Sequence, residues 1–131
     1  MLFRSDYYIT IPGSFASLNE FIGANRVRRG NWSKANDMKQ KDQAAMTPYI
    51  KKAIKKNLQT PVYIHYTFLE KSTRRDLDNV SSYFIKVFQD ALVKCGVLAD
   101  DGWKWIKGFE VAFEVDKGNP RVEVVIREVG V

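Results

Sequence analysis

The apolar positions along the chain follow two periods, one typical of a helix and the other of strands. From Val80 to Cys95 they are spaced three and four residues apart without a miss, which predicts an amphipathic helix. Gly96 then stands where a left-handed C-terminal cap is expected. Alternating or β-branched runs predict four strands, at residues 7–11, 60–69, 109–115 and 121–129. The pattern therefore indicates a mixed α/β (α+β) fold, in which a sheet of four or so strands packs against helices.

Three further helical stretches are predicted before the second strand. Ser17, with Glu20 three residues later, has the pattern of a capping box and opens a short helix. Residues 26–43 are polar and basic, and we interpret them as helical with a break near Gly30. Pro48 is tolerated near a helix start. An apolar stripe then runs through Ile50, Ala53, Ile54 and Leu58.

The remaining local signals concern the strands. The second strand is dense in β-forming residues and is expected to be central in the sheet. Its alternation places His65 on the side opposite its apolar residues, and a lone histidine without positioned neighbours is interpreted as structural. Residues 116–120 read Asp-Lys-Gly-Asn-Pro, which predicts a hairpin between the last two strands.

Size and composition narrow the class of protein. The 131 residues are typical of one domain, so 1–131 is expected to fold around a single core. No apolar run approaches the roughly 18 residues of a membrane span, and the first residues lack the pattern of an export signal. We therefore expect a cytoplasmic protein without membrane association. No phosphate-binding glycine loop or Cys/His zinc pattern is found.

Positive charge is concentrated in one segment. The chain carries a formal net charge of +6, with a pI of about 9.5. Between Ala24 and Lys56 there are ten Lys or Arg against Asp37 and Asp42, so this segment alone carries ten minus two, or +8. Such a face attracts polyanions, because DNA or RNA releases condensed counterions when it binds. A solvated helix surface is the alternative that charge by itself leaves open.

Two pairs of carboxylates provide the candidate chemistry. Asp76 and Asp78 stand between the second strand and the strong helix, and on extended backbone their side chains would point the same way. Magnesium prefers carboxylate oxygen and keeps several waters, so such a pair with a substrate phosphate suits it. Asp100 and Asp101 follow the helix and offer a third carboxylate. Alternatively, Asp78 or Asn79 is an N-cap, and residues 100–102 are only a turn.

A row of polar residues runs along the predicted helix at steps of four. It flanks the apolar stripe and would place polar groups at the edge of a cleft. Its members are Asp78, Ser82, Lys86 and Asp90. Lys86 near a phosphodiester would stabilise developing charge. The alternative is an exposed lysine paired with Asp90 at i, i+4.

Taken together, these residues resemble a known family, the RusA-like crossover junction endodeoxyribonucleases, which are small dimeric enzymes often encoded by phages and prophages. The resemblance spans nearly the whole chain in order. It rests on Ile11-Pro12-Gly13, Leu18-Asn19-Glu20, Arg75-Asp76-Leu77-Asp78-Asn79, Lys86, Asp90-Ala91-Leu92, Gly96-Val97 and Asp100-Asp101. It implies resolution of four-way (Holliday) junctions by paired nicks, in DNA recombination and repair.

The resemblance also implies a cofactor, site residues and partners. The family's metal-site aspartates fall on Asp76, Asp78 and Asp101, with Mg²⁺ as cofactor and Mn²⁺ as the alternative, and its auxiliary lysine falls on Lys86. The secondary positions are Asn79, Asp90 and Asp100. The residues expected to hold the backbone of branched double-stranded DNA are Arg26, Arg28, Arg29, Lys34, Arg74 and Arg75.

Two features depart from the simplest version of this resemblance. In better-known members the lysine follows the second aspartate by one turn, whereas Lys86 lies two turns on, with Ser82 at the nearer position. Lys86 is thereby about 6 Å farther along the axis. In addition, a helix over residues 79–95 is roughly 25 Å long, while six residues reach back at most about 20 Å. Either the helix is shorter, or Asp101 joins the Asp76 and Asp78 of a second subunit in a twofold dimer.

Other interpretations remain open at this level. Trp103 and Trp105 either stack on bases or cover the core or an interface. A non-catalytic nucleic-acid-binding protein is the alternative from another functional class, and the three intact aspartates argue against it. A less selective endonuclease for flaps or other branched DNA of phage origin is the alternative within the same class.

Overall fold

The chain forms three helices, four long strands and one two-stranded ribbon within residues 2–130, which the computed structural model describes. The first half contains β1 (Phe3–Pro12), α1 (Leu18–Ala24), β2 (Arg28–Arg29), β3 (Trp32–Ser33) and α2 (Lys34–Ala53). The second half contains β4 (Val62–Glu70), α3 (Leu77–Lys94), β5 (Ile106–Val115) and β6 (Arg121–Val129). The expected α+β class, with a four-stranded sheet and helices, is confirmed.

The long strands form one mixed sheet in the order β1-β6-β4-β5. β4 runs parallel to β5 and antiparallel to β6, and β1 runs antiparallel to β6. The parallel pair needs a crossover, which α3 supplies. β4 therefore lies inside the sheet, as its sequence predicts.

The predicted hairpin between the last two strands is wrong, because β4 lies between β5 and β6. The turn itself exists: Arg121 Nη1 donates to Asp116 Oδ2 at 2.8 Å, and the Asp116 amide donates to the Glu70 carbonyl at 2.8 Å. A local turn signal reports only that the chain reverses. Which strands become neighbours depends on burial, since β4 has buried backbone groups on both edges that need partners.

The core is the apolar stripe of α3 packed on the sheet. Its members are Val80, Tyr83, Phe84, Val87, Phe88, Ala91 and Leu92, all buried. Phe84 and Phe88 meet the ring of Tyr66 on β4 edge-on, with centroids 6.2 and 5.9 Å away. Tyr66 is fully buried, and its hydroxyl accepts from Gln89 Nε2 at 3.2 Å. The helix ends as predicted, with Gly96 in the left-handed region at φ +76°.

His65 lies on the sheet face that the helices do not cover. Its strand alternates between buried and half-buried positions, and His65 occupies a half-buried one. Its Nδ1 lies 3.4 Å from Glu110 Oε2 on the neighbouring strand.

The helical prediction for residues 26–33 is wrong, whereas the capping box before it is confirmed. The Ser17 hydroxyl accepts from the Glu20 amide at 3.1 Å, and Glu20 Oε1 accepts from the Ser17 amide at 3.2 Å. Beyond α1 the chain forms the β2–β3 ribbon, which reverses at Gly30 with φ +59°. That backbone conformation favours glycine and interrupts a helix. Ser33 then caps α2, accepting from the Asn36 amide at 3.0 Å.

Pro48 lies inside α2 instead of near a helix start, so this part of the prediction is also wrong. A proline there removes the hydrogen bond to the carbonyl of Ala44, and residue 44 is exposed, so that carbonyl is not buried without a partner. The helix ends at Ala53, which leaves Leu58 beyond it. Leu58 is nonetheless buried, and its amide donates to the Val97 carbonyl at 2.9 Å.

None of the helices in residues 2–130 combines the length and apolar character needed to cross a bilayer.

A buried carboxylate ties the edge of the sheet to the chain that precedes β4. Glu128 is 5% exposed; its Oε1 accepts from the Tyr7 hydroxyl at 2.6 Å and its Oε2 from Thr60 Oγ1 at 2.7 Å. Burial alone would raise the pKa of Glu128, but these two hydrogen bonds and the nearby Lys56 and Arg4 lower it overall.

We expect Glu128→Gln to lower the free energy of unfolding near neutral pH by about 1–3 kcal/mol, because charge-assisted hydrogen bonds are lost. Since the folded-state pKa is lowered, the stabilisation is present above the ordinary pKa of 4.5 and is lost as pH falls through the lowered value. Urea unfolding at several pH values measures this. Glu123→Gln, on the same strand, is the control, and an equal loss in both variants would contradict the assignment.

Candidate active site

Asp76 and Asp78 lie at the N-terminus of α3. Asp76 is the N-cap residue, with extended backbone at φ −66° and ψ 147°, yet its side chain makes no cap hydrogen bond. Asp78 is in the first helical turn, where its Oδ1 accepts from the Asn79 amide at 2.9 Å. Both side chains are exposed. Neither Asp78 nor Asn79 is the N-cap, and the extended backbone expected across the pair ends at Asp76.

This position suits anionic side chains that are free to bind a cation. The N-terminus of a helix carries partial positive charge, which offsets part of the repulsion between the two aspartates. The carboxylate of Asp76 has no hydrogen-bond partner within the described chain. Mg²⁺ is a hard cation that keeps several bound waters, so it needs only one or two such carboxylates besides a phosphate oxygen. The donor set at this end of α3 therefore fits part of a metal site.

Arg75 fixes the chain just before Asp76. Its Nε and Nη2 both donate to Glu70 Oε1, at 3.0 and 2.7 Å, and its Nη1 donates to the Phe15 carbonyl at 2.7 Å. Nη1 also lies 3.7 Å from Glu20 Oε1. The guanidinium is therefore occupied by contacts to the end of β4, the loop after β1 and α1.

Asn79 makes a second hydrogen bond that holds the N-terminus of α3 to the rest of the chain. Its Oδ1 accepts from the Asn19 amide at 2.9 Å, which joins the start of α1 to the start of α3. Arg74, by contrast, is exposed and shares a shallow surface hollow with Lys71 and Lys117. Of the two arginines of the motif, Arg74 is thus the one with a free side chain.

Asp101 lies near the opposite end of α3. It borders a cleft of about 290 Å³ between α2 and α3, which Asp90 also lines. Asp90 is twelve residues after Asp78 on one helix, about 18 Å along the axis. Among residues 2–130 no three acidic, histidine or cysteine side chains are grouped closely enough to hold a metal ion.

The expected cluster of Asp76, Asp78 and Asp101 is therefore not assembled within one chain. The reason is the length of α3, whose eighteen residues extend about 27 Å. The alternative of a shorter helix is excluded, since α3 begins before Asp78 and ends at Lys94. Asp100 is exposed, and its side chain folds over Gly102. A Cβ added to Gly102 would lie 3.0 Å from Asp100 Oδ2.

The polar row on α3 flanks the buried stripe and lies at the surface, as its spacing predicts. Ser82 and Lys86 are exposed and Asp90 is half-buried. Lys86 Nζ is 3.5 Å from Asp90 Oδ1, a long contact for a side chain that is 66% exposed. Asp90 has a closer partner, Lys39 of α2, whose Nζ lies 2.6 Å from Asp90 Oδ2.

The charges around Asp90 affect its titration. Burial by itself would raise the pKa of the Asp90 carboxyl, but the hydrogen bond and the charge of Lys39, followed by the charge of Lys86, lower it overall. The carboxylate form of Asp90 is therefore favoured. Asp90 is paired with Lys39 in the cleft that Asp101 also lines.

Lys39 is the residue that sequence analysis missed. It was counted only as one of ten basic residues in its segment, yet it is 28% exposed and turned toward α3. Positions 35, 39 and 43 follow one another at steps of four, so they share one face of α2. Ala35 and Gln43 are both buried in the structure, and Lys39 between them faces α3. The sequence offered the spacing alone, which does not mark that face as buried.

The basic segment forms an exposed surface. Arg26, Arg28, Arg29 and Lys34 are all exposed on and beside the β2–β3 ribbon. Arg28 Nη2 donates to Asn25 Oδ1 at 2.9 Å, and Trp32, which pairs with Arg29, is 43% exposed. These cationic groups are therefore accessible to a polyanion.

Of the two tryptophans after Asp101, only Trp105 is partly buried. Trp103 is 95% exposed and so does not cover the core within the described chain. An exposed tryptophan two residues from Asp101 leaves base stacking and an interface as its possible roles.

A comparison with protein families gives a match over most of the chain. The family model described as "Endodeoxyribonuclease RusA" matches residues 25–127. The matched region includes the basic ribbon, α2, α3 and every aspartate discussed above. No curated protein matches the chain.

Proposed function

The chain belongs to the RusA endodeoxyribonuclease family, and we propose that it resolves four-way DNA junctions by paired, Mg²⁺-dependent nicks in recombination and repair. Its site is proposed to combine Asp76 and Asp78 of one subunit with Asp101 of a second. The observation that carries this is the exposed carboxylate pair at the N-terminus of α3, next to Arg74 in the chain. Because its substrate is DNA, we place the protein in the cytoplasm.

The metal part of the proposal rests on the chemistry of the donors. Asp76 and Asp78 would hold Mg²⁺, or Mn²⁺, with water completing the coordination. The bound ion would supply an activated water and a Lewis acid at the scissile phosphate. Asp76 keeps both oxygens available for this because it makes no cap hydrogen bond. Arg75 and Asn79 hold the backbone on either side of the pair in place.

Lys86 is proposed to stabilise the departing 3′ oxygen. It projects from the polar row of α3, and its weak contact to Asp90 leaves the ammonium largely exposed. Such a donor contributes most where charge develops in the transition state. Asp90 and Asp100 are proposed as secondary acidic positions of the site.

The DNA backbone is proposed to lie on the basic surface. Phosphate contacts position a duplex without reading its sequence, which suits recognition of branch shape. The contacting residues are proposed to be Arg26, Arg28, Arg29, Lys34 and Arg74. Arg75 is included for shaping the loop that carries Arg74, because its own donors are occupied.

A twofold homodimer follows from the separation of the aspartates. Within one chain α3 holds Asp78 and the neighbourhood of Asp101 apart, so the third carboxylate would come from the partner subunit. A twofold axis generates two equivalent sites. Two sites match the two symmetric scissile phosphates of a four-way junction.

The first prediction concerns cleavage of a labelled four-way junction with Mg²⁺. Asp78→Asn is expected to lower the rate roughly a hundredfold or more, because several kcal/mol of transition-state stabilisation are lost. A chelator should abolish cleavage by the wild type. Asp37→Asn, in the first turn of α2, is the matched control and should cut normally. Tight binding without nicks under Mg²⁺ or Mn²⁺ would favour a non-catalytic binding protein. Cutting of flap or linear duplex DNA at the same rate as the junction would favour a less selective nuclease.

The second prediction tests the shared site. Asp78→Asn and Asp101→Asn should each be inactive alone, whereas a purified heterodimer of the two retains one intact site of two. Co-expression with different tags, tandem purification and single-turnover nicking measure this. A same-chain site would leave no active centre in the heterodimer, and failure to recover any heterodimer would also contradict the shared arrangement.

The third prediction concerns the basic ribbon. Replacing Arg28 and Arg29 together by Gln should weaken binding to junctions of all sequences alike. The slope of log K against log salt should fall by about 0.9 for each lost phosphate contact. Fluorescence anisotropy over a salt series measures both. Arg4→Gln, outside the segment, is the control, and an unchanged slope in the double variant would remove the ribbon from the DNA surface.

A further inference from the structure

We propose that two copies of this chain pair through the free edge of β5, and that this pairing brings Asp101 of one subunit to Asp76 and Asp78 of the other. The proposal rests on the proposed function, since it names the interface that the shared site requires. It concerns the strand that follows directly on the loop carrying Asp101.

β5 forms one edge of the sheet. Within the described chain it pairs only with β4. The Asp116 amide, just after β5, donates to the carbonyl of Glu70 at the end of β4. Successive amides of a strand point to opposite edges, so those of Phe109, Val111 and Phe113 face the free edge. An unpaired edge of this kind is a template for another strand.

The opposite edge of the sheet, β1, is less suited to such pairing. β1 ends in Pro12, which has no amide hydrogen to donate, and its register shifts between Phe3 and Ser5. β5 contains no proline and keeps an unbroken register with β4 from Gly108 to Val115. β5 is therefore the edge that is able to extend the sheet.

Exposed apolar side chains accompany the free edge over its whole length. Phe109 and Val115 are exposed on the strand itself. Leu77, the first residue of α3, is exposed at one end of the edge, and Trp103 is 95% exposed at the other. Four apolar side chains of this size supply much of the roughly 800 Å² that each partner of a stable dimer buries. A second copy would cover them with the same four residues.

The charges on β5 favour one antiparallel register. A twofold axis at Glu110 would set two glutamates opposite each other, and an axis at Ala112 would set Glu110 opposite Glu114. Like charges directly opposite each other destabilise a strand pair. An axis at Val111 avoids both arrangements, because each glutamate then faces a residue without charge. These uncharged residues are Ala112 and Gly108.

This register also joins the two aromatic cores. Phe109 faces Phe113 of the partner subunit, and the paired strands exchange about six backbone hydrogen bonds. Within one chain, the ring centroid of Phe109 is 6.1 Å from that of Tyr66, and the centroid of Phe113 is 5.7 Å from that of Phe68. The pairing therefore continues the packing of β4 and β5 across the axis.

β5 spans the distance between the two ends of α3. Its first residue follows the loop of Asp101, beyond the end of α3. Its last residues lie at the start of α3, where Phe113 and Val115 line one hollow with Leu77. This order holds because β5 runs parallel to β4, which leads into α3. The two groups of carboxylates therefore lie near opposite ends of the same edge.

An antiparallel partner reverses this order. The loop that carries Asp101 and Trp103 then lies beside Leu77 of the partner subunit, a residue that stands between Asp76 and Asp78 in the chain. The two β4 strands are three strand spacings apart, about 14 Å, which leaves room for the two α3 helices side by side in opposite directions. Each group of carboxylates thereby meets its counterpart.

The first experiment uses the symmetry of the proposed axis. Val111→Cys should form a disulfide with its own copy under mild oxidation, because Cα atoms of a hydrogen-bonded antiparallel pair are about 5.5 Å apart. Ala112→Cys is the matched control, since both positions are half-buried and position 112 lies roughly 8 Å from its own copy in this register, too far for a disulfide. The wild type, with Cys95 at the end of α3, should not cross-link. Non-reducing gels and peptide mass spectrometry measure this.

The second experiment separates the edge amide from the side chain. Val111→Pro removes the amide at the axis and leaves the hydrogen bonds to β4 in place, so the dissociation constant of the dimer should rise roughly ten- to a hundredfold. Val111→Ala loses the same side chain but keeps the amide, and it should remain a dimer. Sedimentation measures the dissociation constants, and circular dichroism checks that both variants fold. If the proline variant does not fold, the disulfide decides.

The outcomes separate this proposal from the proposed function. A disulfide missing at position 111 or formed at position 112 would overturn the interface, as would equal dissociation of the Val111→Pro and Val111→Ala dimers. A wild type that is monomeric at micromolar concentration would overturn the interface together with the shared site. A dimer that cross-links at position 111 but cuts no junction would instead defeat the proposed function and leave the interface standing.

Discussion

The burial of α3 against the sheet is the constraint on which the rest of the structure depends. Seven apolar side chains of α3 pack against the sheet, where they meet the aromatic rings of β4. Burial of each large side chain contributes about 1.5–3 kcal/mol. Their sum is on the order of 10 kcal/mol, comparable to the whole net stability of a domain. The helix therefore does not shorten or rotate to bring its ends together. The carboxylates that depend on it keep the separation that its length imposes.

Each end of α3 is held by contacts that belong to other parts of the chain. At the N-terminus, Arg75 and Asn79 connect the helix to β4 and α1. At the far end, Lys39 and Gln43 connect it to α2. These ties keep exposed carboxylates in defined places although the carboxylates contribute nothing to the core. Within one chain the two groups of carboxylates therefore stay at opposite ends of α3.

The charges of the molecule fall into two groups with different roles. The arginines of the β2–β3 ribbon have few acidic neighbours and remain exposed. Arg75, Lys39 and Arg121 are paired with carboxylates at 2.6–2.8 Å and serve the architecture. Net charge alone does not separate these groups, since all of them count equally in the total of +6. Only the exposed group is available to neutralise phosphates.

The sequence by itself determined those features that depend on residues close together in the chain. The stripe of α3, the capping box at Ser17, the Gly96 cap and the locations of the long strands were all readable, because helix and strand periods arise from neighbouring residues. The resemblance to the family, which rests on short local motifs, is confirmed by the match over residues 25–127. The tertiary structure decided which distant segments meet. It placed β4 between β5 and β6, turned residues 26–33 into a ribbon, paired Lys39 with Asp90, and separated Asp101 from Asp78. Local propensity does not determine such tertiary contacts, because they depend on how the whole chain buries its core.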